Sequence, residues 1–328
     1  MEQRTLGRTG VKLSVLGFGC GAVGGLMVRG APADQERAVA IAVERGITYF
    51  DTAAAYGNGA SETNVGRVLK TLKPNIVLST KFTILPEDHG RIAVAITASL
   101  EASLKRLGRD SVDLFQLHNR IATDGVDRPL APELVLGEVV PALERLKSQG
   151  KIRFFGITAL GETPALQRVV DAGVLDSAQI VVNMLNPSSA LPVAPGFPAQ
   201  DFAGLLGRAQ AAGMGTIGIR VLAGGALSGT VERHPIGVET LEPIASGPDY
   251  ATDVGRARRL EFLVKEGHAA NLVEAALRFV IAQPALTTAL VGTSTLAQLE
   301  HAIAAVEKGP LPQAALARLP VAWREFAR

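Results

Sequence analysis

Asp51, Lys81 and His118 each close a short run of β-branched and aromatic residues, in TYFD, IVLSTK and DLFQLH, and Tyr56 follows Asp51 by five residues. A carboxylate, an ammonium, an imidazole and a phenol brought together can move a proton. A phenol titrates near pH 10 in isolation, which makes it a weak donor at neutrality. An ammonium beside it favours the phenolate that remains once the proton leaves. Asp51 is the natural counter-charge for a buried lysine, and His118 can hydrogen-bond a substrate oxygen. Such a group polarises and protonates a carbonyl. The hydride that completes a reduction must come from a cofactor, since no side chain donates one.

Taken singly, each residue has a plainer reading. A strand-end Asp or Lys is often capped or solvated, a lone His is usually structural, and a loop Tyr says little. The joint placement on three successive strands is what points to chemistry. No second His or spaced carboxylate joins His118 as a metal ligand, so no metal site is expected. No Ser–His or Cys–His pairing marks a nucleophile either.

Something must bring those strand ends together. Strand-like runs fall at 15–18, 48–51, 76–81, 112–118, 152–155, 179–182, 216–219 and 288–291. Helical periodicity fills 34–45, 61–72, 91–107, 132–149, 163–172, 201–212, 271–282 and 296–307. Asp34 and Ser61 read as helix N-caps, and Gly46, Gly150, Gly173 and Gly213 as stops. Eight βα units over 328 residues suit an α/β fold closed into a (β/α)8 TIM barrel, which collects the C-terminal ends of its strands in one mouth. Residues 4–14 read as an N-terminal β-hairpin turning at Thr9 and Gly10, able to plug the barrel bottom. Residues 220–254, rich in Gly and Pro, form a long loop over the mouth. No linker or low-complexity segment divides the chain, so residues 1–328 are expected to form a single domain.

Gly19, Gly21 and Gly24 match the GxGxxG pattern of a Rossmann fold. The mechanism of that motif requires the glycines to open directly into a helix whose N-terminus holds a pyrophosphate. Here residues 24–33, Pro32 among them, intervene before the expected helix. The glycines read better as a loop that lets backbones approach closely at a barrel mouth.

Composition narrows the partners. With 33 basic and 31 acidic side chains the net charge is +2, and no basic run marks a nucleic-acid footprint. A single cysteine, Cys20, excludes an intramolecular disulfide framework and a multi-cysteine zinc site. The uncharged stretches 177–200 and 279–299 are broken by prolines and polar residues, so no membrane span is expected. The N-terminus lacks the apolar core of a secretory signal, and a cytoplasmic location is expected.

With these motifs in view, the chain resembles the aldo-keto reductases. The likeness is carried by RTLGRTGVKLSVLGFG, FDTAAAYGNGASETNVGRVL, STK and DLFQLH, and more weakly by FFGITAL, QIVVNMLNP, IRVLAGGALSG and VGTSTLAQLEHAI. The resemblance implies a barrel that binds a nicotinamide dinucleotide without a Rossmann domain. It also implies a tetrad of Asp51, Tyr56, Lys81 and His118, with Tyr56 as general acid. By the same likeness Gly19 and Cys20 lie on the nicotinamide side, with Thr158 and Gln179 near the carboxamide. Leu222 and Gly224 approach the pyrophosphate, and Gly292, Thr293, Ser294 and Gln298 face the adenosine phosphate at a helix start, which suits an anion. The chain departs from the common pattern at Ala159, where Asn is frequent, and at Ile219, where an aromatic is frequent. His301 and Ala302 replace an acidic residue and an Asn. Arg220 stands where Ser is common. It either pairs with a loop carboxylate such as Glu232 or Glu239, or holds the pyrophosphate or an acidic substrate.

The function expected on this basis is an NAD(P)H-dependent oxidoreductase that reduces aldehyde, ketone or sugar carbonyls. NADP is favoured over NAD, because neutral donors at the helix start can hold a 2′-phosphate even though 292–302 offers no Arg or Lys. An NAD-linked aldose dehydrogenase working in oxidation is the alternative within enzymes. A nucleotide-sensing binding subunit, like the β-subunits of potassium channels, is the alternative of another class; the chain shows no added interaction segment, which disfavours it. The substrate and the oligomeric state are not legible. The mouth loops 119–131, 186–200 and 220–254 carry no recognisable binding code.

Overall fold

A computed structural model describes residues 1–123 and 129–326; part of the 119–131 loop therefore lies outside the described residues. Two short antiparallel strands, β1 (Gln3–Thr5) and β2 (Lys12–Ser14), form the expected hairpin, with Gly10 in the left-handed region at φ 72°. Eight parallel strands follow: β3 (Leu16–Gly19), β4 (Tyr49–Asp51), β5 (Val77–Phe82), β6 (Val112–Leu117), β7 (Ile152–Thr158), β8 (Ser177–Val181), β9 (Gly215–Ile219) and β10 (Thr288–Gly292). Each pairs with its neighbour in chain order, and β10 returns to β3 with Ala289 opposite Leu16, so the sheet closes. All eight expected strands are present, shifted at their ends by a few residues. β7 runs on to Thr158, which brings that hydroxyl to the mouth.

Two hydrophobic layers hold the barrel. The larger lies between the sheet and the surrounding helices, where residues such as Phe50, Phe82, Phe115 and Phe279 are fully buried. The smaller lies inside the barrel floor. Leu6 and Leu13 from the hairpin pack there against Tyr49, Leu114 and Ile217. Two arginines fasten this plug from below. Arg4 donates to the Ile281 and Leu286 carbonyls at 2.8 and 2.9 Å, and Arg8 to those of Gly173 at 2.8 Å and Ala212. These carbonyls sit at or just beyond helix C-termini, where unsatisfied acceptors and the helix dipole both favour a cation.

Some local expectations need correction. Asp34 and Ser61 are not N-caps: the helix Pro32–Glu44 starts from Ala31 and Ala60–Leu72 from Gly59, which places both residues inside the first turn. Pro32 is the first residue of its helix because its fixed φ is already helical and its missing N–H costs nothing there. The Ser61 hydroxyl donates to the Cys20 carbonyl at 2.8 Å instead of capping. The expected helix over 132–149 is interrupted by a π turn at Val135–Val139. Pro141 just beyond it cannot donate to the fourth residue back, and the wider turn absorbs the conflict. The helix expected over 201–212 is only Leu205–Ala211.

After the fingerprint glycines only the short helix Leu26–Arg29 intervenes before Pro32–Glu44, so no full helix starts at the glycines. A Cβ on Gly24 would come within 2.6 Å of the Thr293 backbone, and one on Gly19 within 3.0 Å of Gly292. These glycines let the first βα loop lie against the end of β10. No described helix is long and apolar enough to cross a membrane.

Candidate active site

β4 and β5 deliver Asp51 and Lys81 side by side, because Asp51 pairs in register with Ser79 and Lys81 points to the same face. The two side chains form an ion pair that is 1% and 0% exposed. Lys81 Nζ also donates to the Thr52 carbonyl at 2.9 Å and to the Tyr56 hydroxyl at 3.1 Å. An ammonium has three N–H bonds, so every one is committed, and one is aimed at the phenol. Burial works against the Lys81 charge, but Asp51 and Tyr56 outweigh it and its pKa is raised.

Asp51 is itself held by several donors. Its Oδ1 accepts from the Tyr49 hydroxyl at 3.1 Å, from Gln179 Nε2 at 2.7 Å and from Gln116 Nε2 at 3.5 Å. Gln116 also donates to Ser79 Oγ at 2.9 Å. His118, just beyond β6, sets its ring edge-on to Tyr56, with centroids 5.8 Å apart and planes at 85°. Burial, and then the charge of Lys81, pull the His118 pKa down to about 3. Its imidazole is therefore neutral at physiological pH, and one ring nitrogen carries a proton to donate.

A cavity of about 650 Å³ opens over these groups. Asp51, Tyr56 and His118 line one end of it, beside Gly19, Thr158 and Gln179. Arg220, Leu222 and Gly224 line its middle wall, and Gly292, Thr293, Ser294 and Gln298 line it at the end of β10 and the start of the helix Leu296–Glu307. Two expected site residues do not line it. Lys81 lies beneath Tyr56, and Cys20 turns its thiol into the apolar core, where burial raises the thiol pKa.

The helix start is partly self-satisfied. The Ser294 amide donates to Gln298 Oε1 at 2.7 Å, and the Ser294 hydroxyl to the Gly24 carbonyl at 2.6 Å. Thr295 is the N-cap and accepts from the Gln298 amide at 3.2 Å. Gln179 gives one N–H to Asp51 and accepts from the Thr158 hydroxyl at 3.4 Å, which fixes the orientation of its amide in the cavity wall.

Several residues around the site were not expected from sequence. Arg233, His301 and Tyr250 also line the cavity. Asn183 donates to the Arg220 carbonyl at 3.0 Å and accepts from the Leu185 and Asn186 amides, which holds Arg220 at a left-handed φ of 54°. Among the described residues Arg220 forms no ion pair with Glu232 or Glu239. The asparagines of NMLNP were legible as turn formers, but nothing in their spacing pointed to Arg220.

Comparison with known proteins places the whole arrangement. The profile of the aldo/keto reductase family matches residues 15–323. The chain is 29% identical over 315 residues to L-galactose dehydrogenase of Arabidopsis thaliana, covering 93% of this chain and 88% of that protein. It is 26% identical over 310 residues to the aldo-keto reductase YhdN of Bacillus subtilis, covering 92% and 87%. The holo form of aldo-keto reductase AKR11C1 from Bacillus halodurans superposes with a TM-score of 0.69 at 25% identity, over 100% of this chain and 97% of that one.

Proposed function

Since the chain belongs to the aldo/keto reductase family, a family of oxidoreductases, we propose that it interconverts a carbonyl and an alcohol using a nicotinamide dinucleotide, with Tyr56 as the proton donor. The observation that carries this reading is the fully committed Lys81 ammonium, bonded at once to Asp51, the Thr52 carbonyl and the Tyr56 hydroxyl. In reduction Tyr56 gives its proton to the substrate oxygen, and Lys81 stabilises the phenolate left behind. His118, neutral and buried beside the phenol, donates to the same oxygen and fixes its direction. A bound nicotinamide would supply or accept the hydride.

The residues present fit such a group. The cavity reaches from Tyr56 and His118 to Ser294 and Gln298, and two guanidiniums, those of Arg220 and Arg233, line it where a dinucleotide is anionic. Gly19, Thr158 and Gln179 would hold the nicotinamide end, and Thr293 and Gln298 the adenosine end. We favour NADPH over NADH, with weak discrimination. Ser294 spends both its donors inside the protein, so a 2′-phosphate would meet mainly Thr293, the Gln298 amide and the helix start. Measured as kcat/KM for both cofactors at one ionic strength, the preference should stay within about 100-fold, under about 3 kcal/mol. A clear NADH preference would refute the choice.

A second reading, oxidation of an aldose with NAD, is favoured by the 29% identity to a protein named L-galactose dehydrogenase. Turnover with a panel of aldehydes and ketones against a panel of aldoses, in both directions, separates the two. Dinucleotide binding with no turnover on either panel would point instead to a nucleotide-sensing subunit.

The low His118 pKa sets a further expectation. Because the native imidazole is neutral down to about pH 3, the pH–rate profile between pH 5 and 8 should show no limb from this residue. His118→Gln should lower kcat yet leave the shape of that profile unchanged. A limb near pH 6.5 in the wild type that disappears in the variant would overturn the assignment. The linkage has a definite sign. An unfolded imidazole takes up a proton below about pH 6.5 and the native one does not, so this residue makes the fold less stable as pH falls from there toward 3.

A further inference from the structure

The connection after β9 crosses the cavity as a strap and is tied to the opposite lip. Val238 donates to the Val23 carbonyl at 3.3 Å, and Arg29 on the lip donates to the Ile236 carbonyl at 2.6 Å. Arg233 is the strap's central fastening. Its Nε donates to the Val238 carbonyl at 2.6 Å, Nη1 to that of Gly224 at 2.8 Å and Nη2 to that of Val23 at 3.4 Å, while its guanidinium lies 5.1 Å from the centre of the Tyr250 ring.

A second guanidinium approaches the same glycine. Arg220 Nη1 lies 3.2 Å from where a Cβ on Gly224 would stand. Both side chains line the cavity, and among the described residues neither meets a carboxylate. Arg220 makes no side-chain hydrogen bond among those residues, which leaves a fork of donors in a largely enclosed wall. Burial lowers its pKa and the charge of Arg233 lowers it further, so each cation disfavours the other. An anion between them removes that conflict.

We propose that Arg233 and Arg220 form a two-armed clamp for a diphosphate, one arm on the strap and one on the barrel. The inference rests on the reading above that this cavity takes a dinucleotide, and it assigns the middle of that ligand to a residue the sequence motifs do not mark. A diphosphate carries two linked anionic groups, each able to take a guanidinium fork. A substrate carboxylate would occupy one arm and leave the other uncompensated. When the clamp is filled, the ligand joins strap to barrel, so it must let go before the strap can lift.

The test uses the full chain and three probes, ADP-ribose, adenosine and inorganic pyrophosphate, read by equilibrium titration and thermal shift. Arg220→Gln and Arg233→Gln should each weaken ADP-ribose about ten- to a hundredfold, the loss of one charge-assisted bond set, and leave adenosine within about twofold. Pyrophosphate should raise the melting temperature of the wild type and of neither variant. Unchanged ADP-ribose affinity in Arg220→Gln would overturn the clamp. So would equal losses for adenosine and ADP-ribose in Arg233→Gln, which would make that residue a strut alone. Arg220 has no strut role, so its variant remains informative if Arg233→Gln folds poorly. Normal nicotinamide turnover with unaltered ADP-ribose binding in both variants sinks the clamp and leaves the activity standing. Pyrophosphate binding that depends on both arginines, without any nicotinamide turnover, does the reverse.

Discussion

Tyr56→Phe should lower the turnover of carbonyl reduction by about 10²- to 10⁴-fold, the usual contribution of a positioned general acid. Only a hydroxyl is removed, and the ring keeps its edge contact with His118. Dinucleotide affinity should therefore stay within about threefold, since Tyr56 contributes no charge to that binding. The melting temperature should barely change, because Lys81 retains Asp51 and the Thr52 carbonyl. Single-turnover rates with saturating cofactor are the measurement. Turnover close to wild type would mean that another group carries the proton.

Lys81→Met should abolish most turnover as well, but at a cost to the fold that Tyr56→Phe does not have. The charge that stabilises the phenolate is gone, and Asp51 is left buried without its counter-ion. Breaking such a pair costs about 3–5 kcal/mol. Tyr49, Gln179 and Gln116 still donate to Asp51, which holds the expected loss toward the lower figure. Denaturant melts and turnover must be read together. The double variant Asp51→Asn with Lys81→Met removes the orphaned charge and should recover much of the stability while regaining no activity. If activity returned with stability, the lysine would be a structural residue only.

The reach of the sequence differs between strands and loops for a physical reason. Asp51, Lys81 and His118 were legible because a barrel gathers strand ends, and strand ends are marked by where β-branched runs stop. Gln116 could be placed on the face of Lys81 and His118 by alternation alone, and it does bond to Ser79 and Asp51. The glycines of the false fingerprint could be excluded from a Rossmann role by the mechanism they failed to meet, though their packing against Thr293 needed the closed barrel to be seen. Arg233 and Asn183 were not legible. Both sit in connections that have no periodicity, and each acts on backbone carbonyls that only the fold brings near. Asp34 and Ser61 failed as caps because helix starts were judged from side-chain type, whereas Pro32 and Gly59 fix them through backbone geometry.

The hairpin has a consequence for how the chain reaches this state. Its strands are the first made during synthesis, yet Leu6 and Leu13 rest on Ile217, and Arg4 reaches the carbonyls of Ile281 and Leu286. β3 likewise waits for β10, since Leu16 pairs with Ala289. Contacts of such long sequence separation form late, after most loop-closure entropy has been spent. The N-terminus is thus made first and seated last, so that during translation its apolar side chains stay without their partners until β10 has been made. In a refolding experiment with pulsed hydrogen exchange, the amides of β1 and β2 should gain protection with those of β10, after the strands between them.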